Sequence, residues 1–204
     1  MIIVVEGPSG AGKTTWCRTH AGANALLEEL PDHETVSTEP QAAARFWVER
    51  NVARWEQVLA REARDGLVVV DTDPFKLHFV WTLFRTGHVK EVEWTLQRDA
   101  ARDAFAAGRY ALADLFLISD IDVATLRARR AGDPSRTRTN FERHVLLRDS
   151  LLRWYRAIDR LEPGRVVVGL PTDGVTPALV AKGKRARRSG PELFDQLMSE
   201  LASI

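Results

Sequence analysis

The 204-residue sequence has a single cysteine, Cys17. One thiol excludes an internal disulfide and any metal site built from several cysteines. Set in an amphipathic stretch, it reads as a small buried apolar group rather than a redox centre. Excess charge is also missing: 29 Lys and Arg face 28 Asp and Glu, a net charge of +1. The chain as a whole is therefore no electrostatic magnet for nucleic acid or membrane, and basic clusters must be judged locally. No basic stretch leads into an apolar run as in a signal peptide, and the opening MIIVV is too short for a signal core or a bilayer span. These absences predict a cytoplasmic, reducing location. There is no internal repeat and no long linker, so one domain over 1–204 is expected. No Asn-Lys-x-Asp guanine motif occurs, which disfavours a G protein, and the chain is short for a motor-type ATPase with an added lid domain.

What is present is an alternation of short apolar runs with helical periodicity. IIVVE (2–6), GLVVVD (66–71), DLFLIS (114–119) and RVVVGL (165–170) read as buried strands, and ETVST (34–38) as a further one stopped by Pro40. Helices are expected from Lys13 to about Leu30, over 41–64, through most of 75–112, over 122–131, over 141–158 and over 190–201, with Pro191 in the first turn. Strands and helices alternating at this length predict a parallel sheet covered on both faces.

Between the first strand and its helix stands GPSGAGKTT, residues 7–15. Gly7, Gly10 and Gly12 free the backbone so that several N–H groups can converge on phosphate oxygens. The helix that follows turns its positive end to the same anion. Lys13 is placed to reach the outer phosphates and Thr14 to offer a hydroxyl to Mg²⁺. The loop residues Gly7, Ser9, Gly10, Ala11, Gly12, Lys13, Thr14 and Thr15 are accordingly expected to hold ATP.

Ligands of open parallel sheets bind beyond the carboxyl ends of the strands. Asp71 ends the third apolar run and Asp73 follows two residues later. Asp71 is expected to act as base for an acceptor hydroxyl or to hold a magnesium-bound water. Asp73 reads equally as an acceptor contact or as a cap in the turn before Pro74. Glu39, in STEP, is an acceptor-side candidate. Asp120 and Asp122 read as caps of the following helix.

RARRAGDPSRTR carries Arg127, Arg129, Arg130, Arg136 and Arg138 within twelve residues. Such a segment, a lid over about 127–140, can close on a nucleotide and exclude water from phosphoryl transfer. Arg136 and Arg138 are the expected catalytic arginines beside Lys13 and Asp71, and Arg130 joins the nucleotide-binding set.

The phosphate loop, the TEP, the Asp ending strand three, ADLFLISDIDVATLRARR, the arginine segment and LLRDSLLRWYRAI follow one another in an order that resembles the thymidylate kinase and deoxynucleoside kinase group of P-loop kinases. The resemblance covers about residues 1–175. It implies a three-layer α/β/α P-loop NTPase fold with a five-stranded parallel sheet, Mg-ATP as donor, and a nucleoside- or nucleotide-like acceptor. It also places PTDG (171–174) near the adenine. The group carries Asp-Arg or Glu-Arg after strand three; here Thr72 follows Asp71.

Phe75, Phe79, Trp81 and Phe84 could wall an acceptor base, with Phe75 the foremost candidate, although their spacing also suits core packing. KGKRARR (182–188), within the C-terminal stretch 176–204, reads as a solvated basic loop or linker, with a nucleic-acid contact or an anionic-substrate patch as the alternatives. The reading that results is an ATP-dependent kinase with a small-molecule phosphoacceptor. Antibiotic or other hydroxyl-compound kinases of the same fold, and a nucleic-acid-associated regulatory NTPase, are the alternatives. Nucleic acid is a disfavoured partner, no membrane partner is expected, and a homodimer is left open.

Overall fold

The structure, a computed structural model, describes residues 1–28, 36–132, 141–184, 186 and 188–203, without the side chains of 143, 144 and 146. Five strands, β1 (Ile2–Glu6), β2 (Ala25–Leu26), β3 (Val68–Asp71), β4 (Leu115–Ile118) and β5 (Val166–Val168), form one sheet in the order β2-β3-β1-β4-β5. Every pairing is parallel. All strands therefore end at the same edge of the sheet. The chain reverses its direction of sheet growth at β1, whose neighbours are β3 and β4, and a crevice opens at such a switch point.

Strand residues alternate between two cores, as a period of two requires. Ile2, Val4, Val68, Val70, Phe116 and Ile118 face one cluster. There they meet α2 (Pro40–Asp65), α3 (Leu77–Arg85), α4 (Glu91–Ala106), α7 (Arg148–Leu161) and α9 (Pro191–Ala202). Ile3, Val5, Val69, Leu115 and Leu117 face the other cluster, with Trp16 and Cys17 of α1 (Lys13–Ala21) and Leu179 of α8 (Pro177–Val180). Both faces are covered, which is why these strands are continuous apolar runs and not alternating ones. The fold is a three-layer α/β/α architecture around a five-stranded parallel sheet. Cys17 is fully buried, and burial followed by the nearby charge of Asp71 pushes its thiol up to about 12, which makes it an inert packing group.

Three sequence expectations about elements need correction. The helix expected to run to about Leu30 stops at Gly22, whose φ of 51° an L side chain rarely adopts, and a 3₁₀ turn over Gly22–Asn24 leads into β2. The second strand is thus Ala25–Leu26 and not 34–38. Residues 36–38 carry no strand, and 34–35 lie outside the described residues. The single helix expected over 141–158 is divided at Leu147 into α6 (Phe141–Leu146) and α7. The remaining helix, α5 (Val123–Ala131), starts as expected on Asp122, whose carboxylate accepts from Thr125 N at 2.9 Å. Asp120 is instead paired with Arg148.

Candidate active site

Beyond the sheet's carboxyl edge lies a cleft of ≈ 1390 Å³. Loop residues 7–15 line it, together with Glu28, Thr72, Lys76, His78, Phe79, Thr82 and Leu151.

The loop's shape follows from its glycines. Gly10 and Gly12 sit at φ 86° and 90°, in the left-handed region. A Cβ on Gly7 would lie 2.8 Å from the Cβ of Ser119, so loop and β4 touch backbone to side chain only because position 7 has none. No side chain caps α1. Its first N–H groups are left for an anion, with the helix dipole behind them. Lys13 folds back along the loop, its Nζ donating to Gly7 O at 2.7 Å and Pro8 O at 3.3 Å. The Thr14 hydroxyl donates to Asp71 Oδ2 at 2.5 Å. Ser9, Ala11 and Thr15 line the cleft as well.

Asp71 is buried at the tip of β3. Its carbonyl accepts from Arg54 of α2 at 2.5 Å. Near it, on the other side of the Thr72 hydroxyl, stands Glu28, just past β2, which the sequence did not single out. Lys76 Nζ lies 2.6 Å from Glu28 Oε1, Thr72 Oγ1 donates to Oε2 at 3.2 Å, and Arg54 Nη1 is 3.9 Å away. Burial pushes the Glu28 carboxyl up, but the charge and hydrogen bond of Lys76, then Arg54, outweigh it, so Glu28 stays below its ordinary value. Thr72 and Lys76 are the described non-glycine residues at positive φ, 73° and 47°. Backbone held there costs on the order of 1–3 kcal/mol per residue and clusters at functional sites. Both strained residues send their side chains to the same carboxylate.

Several expected contacts take other places. Glu39 caps α2, accepting from Gln41 N at 2.9 Å and Ala42 N at 2.5 Å, and is not among the residues lining the cleft. Phe75 is buried in the core between Phe105, Tyr110, Trp154 and Phe194 and does not line the cleft either; Phe79 does. Trp81 is a core residue beside Trp154, and Phe84 stacks on Trp94. Asp73 takes the capping role: its Oδ1 accepts from Phe75 N and its Oδ2 from the Tyr155 hydroxyl, both at 2.9 Å.

Of the arginine segment, Arg129 faces the phosphate loop, donating to Ala11 O at 3.1 Å. Arg130 lies over the Phe141 ring, 4.9 Å from its centroid, and beside Glu142. Arg136 and Arg138 lie outside the described residues. Trp16 Nε1 donates to Pro171 O at 2.8 Å, and Gly169 and Leu170 line the cleft on that side. The basic run near the C-terminus begins at the other edge of the sheet. Lys184 N donates to Asp114 O, and the Arg188 side chain pairs with Glu62 and Asp114.

Glu28 was obscured because a two-residue strand leaves no periodic trace, so nothing in the sequence marked residue 28 as following a strand. Lys76 and Arg54 carry no spacing signal either; the fold brings them together.

No family model matches the chain, and no curated protein matches it. Solved structures do. A deoxyadenosine kinase from M. mycoides with bound dATP is 14% identical at a TM-score of 0.59, covering 82% of this chain and 90% of that one. The same enzyme with the products dCMP and dCDP is 15% identical at a TM-score of 0.53, and with dCTP 14% identical at 0.55, each covering 100% of both chains. The likeness is one of fold: this chain shares the architecture of P-loop deoxynucleoside kinases.

Among the described residues no helix is long and apolar enough to cross a membrane.

Proposed function

We propose that the protein is an ATP-dependent phosphotransferase that moves the γ-phosphoryl group to the hydroxyl of a nucleoside or nucleoside-like small molecule. The observation that carries this reading is the continuity of the cleft. Small-ligand sites occupy about 300–1,000 Å³. A cleft of ≈ 1390 Å³ that takes in a phosphate loop and also an apolar wall with a carboxylate has room for two ligands. A hydrolytic NTPase needs only the phosphate loop.

The loop amides and Lys13 hold the donor's phosphates and offset the charge that develops on the transferring group. Mg²⁺, which this chemistry implies, fits the donor set. Thr14 Oγ1 and the Asp71 carboxylate are hard oxygens side by side. The described residues contain no group of three or more His, Cys, Asp or Glu able to cage a metal, which suits an ion that keeps waters and takes phosphate oxygens as ligands. Bound there, it would supply positive charge to offset that of the donor's phosphates. Asp71 is thereby assigned to the metal side. Glu28 takes the acceptor role: its carboxylate faces the cleft and is in reach to orient the acceptor hydroxyl and receive its proton. Phe79, Thr82 and Leu151 shape the wall against which the acceptor lies. Arg129 is placed for the donor, and Arg136 and Arg138 are proposed to complete the charge offset from the lid.

The experiment is incubation of the purified protein with γ-labelled ATP and panels of nucleosides, nucleotides and hydroxylated antibiotics, beside tubes holding DNA, RNA or no acceptor. Label transferred to a nucleoside is the expected result. Label appearing only as phosphate, and faster with nucleic acid, would replace the kinase reading with the regulatory NTPase. Arg188 weighs against the latter, being tied into an ion bridge and not presented to a partner.

A further inference from the structure

Beneath the phosphate loop lies a buried polar cluster that the proposed chemistry does not use. Glu6, Asp73 and His78 are each 3% exposed. Glu6 closes β1, and backbone amides take both of its oxygens: Gly7 N donates to Oε1 at 2.8 Å and Asp73 N to Oε2 at 2.9 Å. One carboxylate thus joins the first residue of the phosphate loop to the turn after β3. The arrangement creates an electrostatic conflict, because it sets a negative charge at the foot of an anion site. Lys13 Nζ stands 3.9 Å from Glu6 Oε1, so the cation meant for phosphate is partly drawn to the carboxylate.

His78 of α3 answers that conflict. Its Nε2 is 3.4 Å from Glu6 Oε2 and its Nδ1 is 3.9 Å from Asp73 Oδ2. A carboxylate oxygen only accepts hydrogen bonds, and a neutral imidazole has one N–H to offer. Nε2 faces the Glu6 carboxylate as its closest charged neighbour, and Nδ1 makes no hydrogen bond. Lys13, Lys76 and Glu28 also face Glu6, and the hydroxyls of Tyr155, bound to Asp73, and of buried Tyr110 face Asp73. Burial pushes the Glu6 carboxyl up, yet the hydrogen bond and charge of His78, followed by Lys13 and Lys76, hold it well below the ordinary carboxylate range.

We propose that His78 is the buried counter-ion of Glu6 and a positioning residue for the phosphate loop. It cancels the charge of the carboxylate that anchors the loop, so that Lys13 and the loop amides remain available to a polyphosphate. The inference rests on the loop being a polyphosphate site. It adds that α3, whose Phe79 and Thr82 line the cleft, also conditions the phosphate loop.

The test is a double-mutant cycle on the full chain: wild type, Glu6→Gln, His78→Gln, and both together. Mg-ATP binding is measured by calorimetry, and thermal melting is followed without nucleotide. In the presence of Glu6, His78→Gln is expected to weaken Mg-ATP binding at least about tenfold, because an uncancelled charge in a poorly solvated site acts strongly at this range. In the Glu6→Gln background the same change is expected to cost less than about threefold. Equal losses in both backgrounds, or no loss in either, overturn the pairing. If His78→Gln alone does not fold, recovery of a cooperative melt in the double variant supports the proposal, and failure to recover overturns it. Wild type that binds no Mg-ATP would overturn the kinase reading instead, and the melting cycle would still decide whether Glu6 and His78 are coupled.

Discussion

The Thr14 hydroxyl and the Asp71 carboxylate, 57 residues apart in the chain, meet at 2.5 Å where the ends of β1 and β3 run side by side. The parallel register sets Val5 opposite Asp71, so the loop leaving β1 must return past the tip of β3. A hydroxyl and a carboxylate held this way are hard oxygen ligands suited to Mg²⁺. Asp71→Asn keeps the size and a hydrogen bond to Thr14 but removes the charge. Turnover is expected to fall about 10²-fold or more, with the Mg²⁺ concentration for half-maximal rate rising and ATP affinity in excess Mg²⁺ little changed. Steady-state rates across a Mg²⁺ series check this. An unaltered Mg²⁺ requirement would move Asp71 back to the acceptor side.

Lys13 contacts loop carbonyls and stands 3.9 Å from Glu6, and its side chain is part of no hydrophobic cluster. Lys13→Ala should therefore leave the melting temperature within a few degrees of wild type while turnover becomes undetectable above background. Near-normal activity in a folded Lys13→Ala protein would remove the kinase assignment.

The phosphate-loop part of the cleft was legible in the sequence because its signal is local: the glycines, lysine and threonine of 7–15 are contiguous and flanked by a strand and a helix that periodicity reveals. Asp71 was found the same way, as the last residue of an apolar run. The surroundings of Glu28 were not legible. Glu28 follows a strand of two residues, Lys76 lies in a turn, and Arg54 is one polar position on a helix of 26 residues. Only the closing of β2 against β3 brings these three together. The aromatic positions were ambiguous for a related reason. Phe75 and Phe79 are four residues apart and equally apolar, yet the left-handed turn at Lys76 lies between them, and one is buried in the core while the other lines the cleft.

Glu28 and Lys76 make the acceptor assignment testable. Glu28→Gln removes the carboxylate proposed to accept the proton but retains size, and kcat is expected to fall about 10²-fold or more with the KM for ATP within about twofold. Lys76→Met removes the partner that holds Glu28 at 2.6 Å. The loss should be smaller, about tenfold in kcat/KM for the acceptor, with partial recovery in Lys76→Arg. Acceptor kinetics at saturating ATP separate the two roles. If both variants instead raise the KM for ATP alone, Glu28 belongs to the donor site.

The last prediction concerns the opposite edge of the sheet and stability, not activity. Arg188 joins Glu62 at 2.8 Å to the fully buried Asp114, and the Met1 ammonium reaches Glu62 at 2.5 Å. Asp114 also accepts from Ile2 N at 2.8 Å. The bridge therefore ties α2, β1, β4 and the C-terminal run together where the strands begin. Removing one partner of a buried pair leaves an uncompensated charge, so Arg188→Ala should cost about 3 kcal/mol, read as a lower urea midpoint at unchanged slope. Burial alone would raise the Glu62 carboxyl, but its hydrogen bonds to Arg188 and the N-terminus, with their charges, bring it from 4.5 down to about 2. A carboxyl depressed on folding takes its proton more readily in the unfolded chain. Its stabilisation is therefore full above about 4.5 and lost as pH falls toward 2. Solvent at the rim of the bridge screens the pair, so the share lost across that window is expected to be about 1–2 kcal/mol rather than the whole of the shift. Urea unfolding at pH 7, 4.5 and 3 should show wild type losing more stability on acidification than Glu62→Gln, which lacks the titrating group. Equal acid sensitivity in the two proteins would mean that other carboxylates govern the acid limb.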